Sequence, residues 1–213
     1  MMARLPALRR VGLPLLVIGA AACDATPPPV GMARGAELYE TCLPCHGENA
    51  VGNPEIAAPA IAGLPQWYIQ DQLTGFQAGY RGDHASDLPG LRMRPMALSL
   101  TRDGDVESVA EYVASLDPVY PASTLHGNAG AGAASYAVCV ACHGEDGLGN
   151  QDLHAPPIVQ LDDWYLLNQL RNFKSGARGA GEGDTWGMTM RVNSLALTDA
   201  GMQDVIAYVQ TLR

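Results

Sequence analysis

The 213-residue sequence predicts an all-α protein made from one small helical unit used twice. Three observations lead there. Apolar residues recur with the 3.6-residue period of a helix near the end of each half, no run of alternating β-branched residues marks a strand, and the chain aligns with itself at an offset of 97 residues. From about Gly35 to Thr101 that self-alignment needs no gap. Cys42 falls on Cys139, Cys45 on Cys142, His46 on His143, Pro59 on Pro156, Trp67 on Trp164, Tyr68 on Tyr165 and Phe76 on Phe173. It continues through Arg81 and Arg178, Asp87 and Asp184, Met93 and Met190, and Thr101 and Thr198. One residue is then lost, after which Tyr112 pairs with Tyr208 and Leu116 with Leu212.

The first segment, residues 1–22, stands apart from the repeat. Arg4, Arg9 and Arg10 precede the run "VGLPLLVIGAAA", which is too short to span a bilayer and ends in small residues, the pattern of a secretory signal. Cys23 follows at once. The stretch resembles bacterial lipoprotein signals, which implies cleavage before Cys23, acylation of that Cys and, with Asp24 behind it, retention at the cytoplasmic membrane on its periplasmic side. Residues 23–32, with three consecutive prolines, read as a stiff, extended tether.

The first repeat unit occupies 33–116, a Pro-containing linker 117–127, and the second unit 128–213. In the first, Trp67, Leu73 and Phe76 define a middle helix, and Val106, Val109, Ala110, Val113 and Leu116 form an apolar stripe on a terminal one. Their counterparts are Trp164, Leu170 and Phe173, then Met202, Val205, Ile206, Val209 and Leu212. Thr101 and Thr198 are the expected caps of the terminal helices. The Gly-rich stretches at 79–90 and 176–187 read as loops. Two Phe, 24 Gly and 15 Pro make thin cores for units of this size, so something other than side chains is expected to fill them.

Removal of the signal's three arginines leaves 10 basic residues against 22 acidic ones, a net charge of −12. Such a surface repels nucleic acid and favours a basic partner patch. Lys174 is the sole lysine, which excludes a docking ring of lysines.

The chemistry is carried by "CLPCH" at 42–46 and "CVACH" at 139–143. Two thiols three residues apart, with an imidazole directly after them, can add across the two vinyl groups of a haem and leave the His beneath the iron. A zinc site would need two more ligands in each half, and His84, His126 and His154 have no counterparts across the repeat. A redox dithiol belongs in a βαβ setting, which is lacking. The four thiols Cys42, Cys45, Cys139 and Cys142 therefore account for two covalent haem c groups, with His46 and His143 on the irons. Met93 and Met190 each stand 47 residues after that His and are the candidate sixth ligands, whereas their neighbours Met96 and Met188 do not align. Histidine and methionine together raise the potential and leave no open coordination position.

With a CxxCH near the start of each half, a Pro 13 residues later, a Trp-Tyr helix, and a Met before a terminal helix ending "AYVQTL", the chain resembles class I cytochromes c. The tandem arrangement resembles the dihaem cytochrome c4 family over residues 33–213. That resemblance implies an all-α fold of two tandem class I cytochrome c domains, each wrapped around one covalent haem. It also implies that the Pro59 and Pro156 carbonyls accept from Nδ1–H of His46 and His143, and that Trp67 and Trp164 pack at or near haem. Gly35 and Gly132 would let the first helix of each unit cross the last near Tyr112 and Tyr208.

The expected function is that of an electron carrier and not an enzyme. A tethered periplasmic dihaem protein would take electrons from a quinol-oxidising complex or a dehydrogenase and pass them to a terminal oxidase or reductase. Its partners would be redox proteins, among them membrane respiratory complexes, with no nucleic acid and no small-molecule substrate. The alternatives are a haem subunit of a larger oxidoreductase and a dihaem enzyme such as a peroxidase, which requires one iron with a displaceable ligand.

Overall fold

A computed structural model describes residues 30–213; the signal and Cys23 lie outside the described residues. Five helices form each half. In the first they are α1 (Met32–Tyr39), α2 (Leu43–His46), α3 (Gln66–Gln77), α4 (Leu88–Leu98) and α5 (Asp105–Ala114). The second repeats them as α6 (Ala129–Tyr136), α7 (Val140–His143), α8 (Asp163–Ser175), α9 (Thr185–Ser194) and α10 (Asp199–Gln210). No strand occurs among the described residues, only the paired isolated bridges Asn53 to Ala58 and Asn150 to Ala155.

The terminal helices bury the stripe their spacing predicts: Val109, Ala110 and Val113 in α5, and Met202, Val205, Ile206 and Val209 in α10. Each crosses the first helix of its own half at a glycine. A Cβ on Gly35 would lie 2.1 Å from the Ser108 carbonyl oxygen, and one on Gly132 would lie 1.9 Å from that of Asp204. Only hydrogen fits between these backbones. Beside each crossing two tyrosines pack with ring centroids 5.3 Å apart, Tyr39 on Tyr112 and Tyr136 on Tyr208.

Thr198 caps α10, its side chain accepting from Gly201 N at 3.0 Å. Thr101 does not cap α5. α5 starts only at Asp105, four residues after Thr101, with Gly104 in a left-handed conformation (φ 84°) before it, and Asp105 itself accepts from Arg102 N. The glycine-rich stretches are also shorter loops than their composition predicts, because α4 begins at Leu88 and α9 at Thr185. Asp87 and Asp184 cap these two helices by accepting from Gly90 N at 3.1 Å and Gly187 N at 2.9 Å.

The halves meet across a pseudo-symmetric contact. Arg81 donates to Gln72 Oε1 at 2.7 Å and, across the interface, to Tyr165 Oη and Gln169 Oε1, both at 3.2 Å. Arg178 mirrors it, donating to Gln169 Oε1 at 2.8 Å and to Gln72 Oε1 at 3.2 Å. Each guanidinium lies 4.3 Å above a phenylalanine centroid, Phe76 or Phe173. The linker is fastened to the second half, where Asp163 accepts from Thr124 N, Thr124 Oγ1 and Leu125 N and Arg213 donates to the Pro121 carbonyl.

Gly35→Ala is expected to destabilise the first domain by about 2–3 kcal/mol, because overpacking here meets rigid backbone. Gly104→Ala meets nothing within 4 Å and costs only the left-handed strain of about 1–2 kcal/mol. Thermal unfolding of the two variants checks the order; equal melting points would mean that the crossing is not a tight constraint.

Candidate haem sites

In each half the CxxCH stretch folds as one short helical turn. His46 N donates to Cys42 O at 2.9 Å and His143 N to Cys139 O at 2.9 Å, and both first cysteines sit at φ −88°, ψ −27°. On such a turn side chains three and four apart share a face, which brings the two thiols and the imidazole together. The turn ends at Gly47 (φ 80°) and Gly144 (φ 81°), and there Tyr39 Oη donates to Gly47 O and Tyr136 Oη to Gly144 O, each at 2.7 Å.

His46 and His143 are buried, at 6% and 9% exposure. Nδ1 of His46 donates to Pro59 O at 2.9 Å, and Nδ1 of His143 to Pro156 O at 3.0 Å. Burial lowers both pKa values, with the proline carbonyl opposing the shift. A neutral ring with its proton held on Nδ1 presents the Nε2 lone pair, the form in which imidazole binds a metal.

Cys42, Cys45, Cys139 and Cys142 carry no disulfide. Burial, helped by Cys45, pushes the Cys42 thiol up to about 11, and burial raises Cys139 in the same way. A redox dithiol needs a depressed pKa, so this environment is the opposite of a thioredoxin-like one. Among the described residues, no group of three or more His, Cys, Asp or Glu is placed to hold a metal ion, which leaves the zinc alternative without a ligand set.

Met93 lies in α4 and Met190 in α9; both are half-buried, and Met93 packs against the first core. The unaligned Met96 and Met188 are exposed, at 39% and 44%. Trp67 and Trp164 are half-buried against the same first core, which reaches across the interface to Leu161 and Tyr165. His84 bonds to Ser86 Oγ in a loop, and His126 is exposed.

Sequence reasoning missed two features. Arg81 and Arg178 bring buried cations together, and Arg178 is drawn down to about 10 by burial and by the Arg81 charge. Both keep a buried Nε without an acceptor. A cofactor that carries carboxylates would supply acceptors for these two donors, so the interface fits haem, with its two propionates. The pairing of Tyr68, Gln72 and Arg81 with Tyr165, Gln169 and Arg178 at the repeat offset was the signal available. The second missed feature is His154, which bonds to Asp71 Oδ2 at 2.6 Å across the interface and stacks on Trp186 at 4.8 Å.

A buried imidazole behind a disulfide-free thiol pair, twice in an all-α chain, defines a c-type haem protein. The family model described as Cytochrome c matches residues 32–117 and again 129–213, and the chain belongs to the cytochrome c family. It is 30% identical over 192 residues to the thiosulfate dehydrogenase electron acceptor of Thiomonas intermedia (strain K12), covering 85% of this chain and 82% of that one. It is 28% identical over 192 residues to cytochrome c4 of Azotobacter vinelandii, covering 84% and 88%. The solved thiosulfate dehydrogenase TsdBA of Marichromatium purpuratum matches with a TM-score of 0.68 at 28% identity, over 84% of this chain and 40% of that one. The chain is thus a tandem dihaem cytochrome c resembling cytochrome c4, an electron carrier with two covalently attached haem c groups.

A pyridine haemochrome assay is expected to count two haems per chain, both resisting extraction by acidified organic solvent. Replacing Cys42 and Cys45 by Ala should leave one. Retention of both in that variant would mean that the first CxxCH is not an attachment site.

Proposed function

We propose that this cytochrome is a membrane-tethered shuttle on the periplasmic side of a bacterial membrane, taking electrons from a dehydrogenase or a quinol-oxidising complex and delivering them to a terminal oxidase or reductase. The observation that carries the reading is the matched pair of sites: each buried, carbonyl-held imidazole has a half-buried methionine at the same register, while the neighbouring methionines are exposed. His46 with Met93, and His143 with Met190, would hold the two irons, and Cys42, Cys45, Cys139 and Cys142 the porphyrin edges. The haem, when bound, supplies a one-electron iron couple. The chain orients the imidazole through Pro59 and Pro156, excludes water by burial, and fills the sixth position so that no substrate enters.

The name of the Thiomonas relative supports a dehydrogenase as donor, and the acidic composition of this chain supports a basic docking face on it. The run before Cys23 supports lipid anchoring.

If Met93 and Met190 are ligands, the oxidised protein has the weak sulfur-to-iron band at the red end of the visible spectrum. Met93→Ala or Met190→Ala should each remove about half of it, lower one haem's potential and open that haem alone to carbon monoxide. Met96→Ala and Met188→Ala should leave band and potential in place. Carbon monoxide binding to the unmutated protein would instead support an enzyme.

Mass spectrometry of the membrane fraction is expected to find a diacylglyceryl-modified Cys23 as the first residue. An unmodified Cys23, or a mature start beyond it, would remove the anchor.

A further inference from the structure

Pro59 and Ala60 share one peptide unit, and both of its polar ends are engaged. The carbonyl accepts from His46 Nδ1 at 2.9 Å, and the N–H, which belongs to Ala60, donates to Asp162 Oδ2 at 2.8 Å in a buried contact. Asp162 lies in the second domain, directly before α8, and is 8% exposed. A carboxylate of one domain therefore sits at the far end of the amide that holds the other domain's imidazole.

The second copy lacks this arrangement for a covalent reason. The repeat places Pro157 where the first copy has Ala60, and proline has no N–H to donate. The counterpart of Asp162 is Pro65, which has no carboxylate to offer. His143 keeps its own bond to the Pro156 carbonyl, but that peptide unit ends there.

The amide is conjugated, so an anion accepting from its N–H shifts electron density toward its carbonyl oxygen. Hydrogen bonds linked in this way strengthen one another, more so in a buried, low-dielectric setting. The Pro59 oxygen then accepts more strongly from Nδ1–H, and the His46 ring becomes the better donor at Nε2. A more electron-rich ligand favours the oxidised metal.

We propose that Asp162 is a positioning residue for the first haem site, acting across the domain interface through the Pro59–Ala60 peptide unit to hold that site's reduction potential below the value it would have without the bond. The inference rests on His46 being an axial ligand, as proposed above. It makes the two sites inequivalent although their ligand sets match, and it ties the potential of one domain to the seating of the other.

The test is Asp162→Asn in the full holoprotein, a change that keeps an acceptor of the same shape and removes the charge. Redox titration at about pH 8 keeps the native carboxylate ionised even though burial pushes its pKa upward. The first haem, assigned with Met93→Ala, is expected to shift toward the ferrous form by up to about tenfold, ~59 mV for one electron, while the second stays in place. The NMR signal of His46 Nδ1–H should move upfield, with that of His143 unmoved. Ala60→Pro, which copies the residue at 157, should shift the potential the same way, and Asp162→Asn should add nothing on top of it.

Unchanged potentials, an equal shift of both haems, a fixed His46 Nδ1–H signal, or a full Asp162→Asn shift in the Ala60→Pro background would each overturn the proposal. A lower melting point with unchanged potentials assigns Asp162 a structural role only. Should Ala60→Pro fail to fold, the Nδ1–H signal of Asp162→Asn decides. The sulfur-to-iron band of the same unmutated sample reports separately on the proposed ligation, so failure of that reading is distinguishable.

Discussion

Burying an imidazole costs free energy unless its polar atoms find partners, and the bond from each histidine Nδ1 to a proline carbonyl meets that demand on one side of the ring. The other constraints follow outward from it. For the ring to reach that carbonyl, the CxxCH turn must stop abruptly, which it does at a left-handed glycine. That glycine's carbonyl is then exposed to the core and is taken by a tyrosine hydroxyl, Tyr39 or Tyr136. The tyrosine in turn needs a surface to pack on, and Tyr112 or Tyr208 supplies it from the last helix. The close α1–α5 and α6–α10 crossings at Gly35 and Gly132 are therefore the outer end of a chain of contacts that begins at the imidazole.

Much of this chain was legible in the sequence. The CxxCH pairs, the prolines 13 residues on and the apolar stripes are spacings within a few turns of the chain, and spacing is what sequence reports directly. Contacts between the two copies were not legible. His154 and Asp71 are 83 residues apart, and Ala60 and Asp162 are 102 apart; no local period joins them. The α4 and α9 helices were hidden for a different reason: the glycine-rich stretches around their starts read as loops, while Asp87 and Asp184 turn the same composition into capped helix starts. Thr101 failed as a cap because Gly104, in a left-handed conformation, holds the start of α5 back to Asp105, although its partner Thr198 does cap.

The interface shows how a duplication keeps symmetry where charge demands it. Two guanidinium groups side by side repel; Gln72 and Gln169 accept from both, Tyr165 accepts from Arg81 alone, and each group lies over the phenylalanine of its own half. Glutamine and tyrosine oxygens solvate a cation without neutralising it; the Asp87 and Asp184 carboxylates offset part of the charge, and the two Nε groups without acceptors leave positive potential at the interface. That potential attracts carboxylates from either side, and the two haem groups of a dihaem cytochrome carry carboxylates. Haem groups bound in both halves would complete such an interface, and the relative seating of the domains and the occupancy of the sites would then support one another.

Composition points to the same coupling. The second core consists of Tyr136, Val159, Leu167, Met202, Val205, Ile206 and Val209, with no buried phenylalanine or tryptophan among them. Phe173 is buried outside this cluster, beneath Arg178, and Leu161 and Tyr165 pack with the first core, so the cluster itself buries little area for a domain of this length. A porphyrin would add a large rigid apolar surface beside it, and thioether bonds to Cys139 and Cys142 would prevent its loss. Covalent attachment is then as much a device of folding as of redox chemistry.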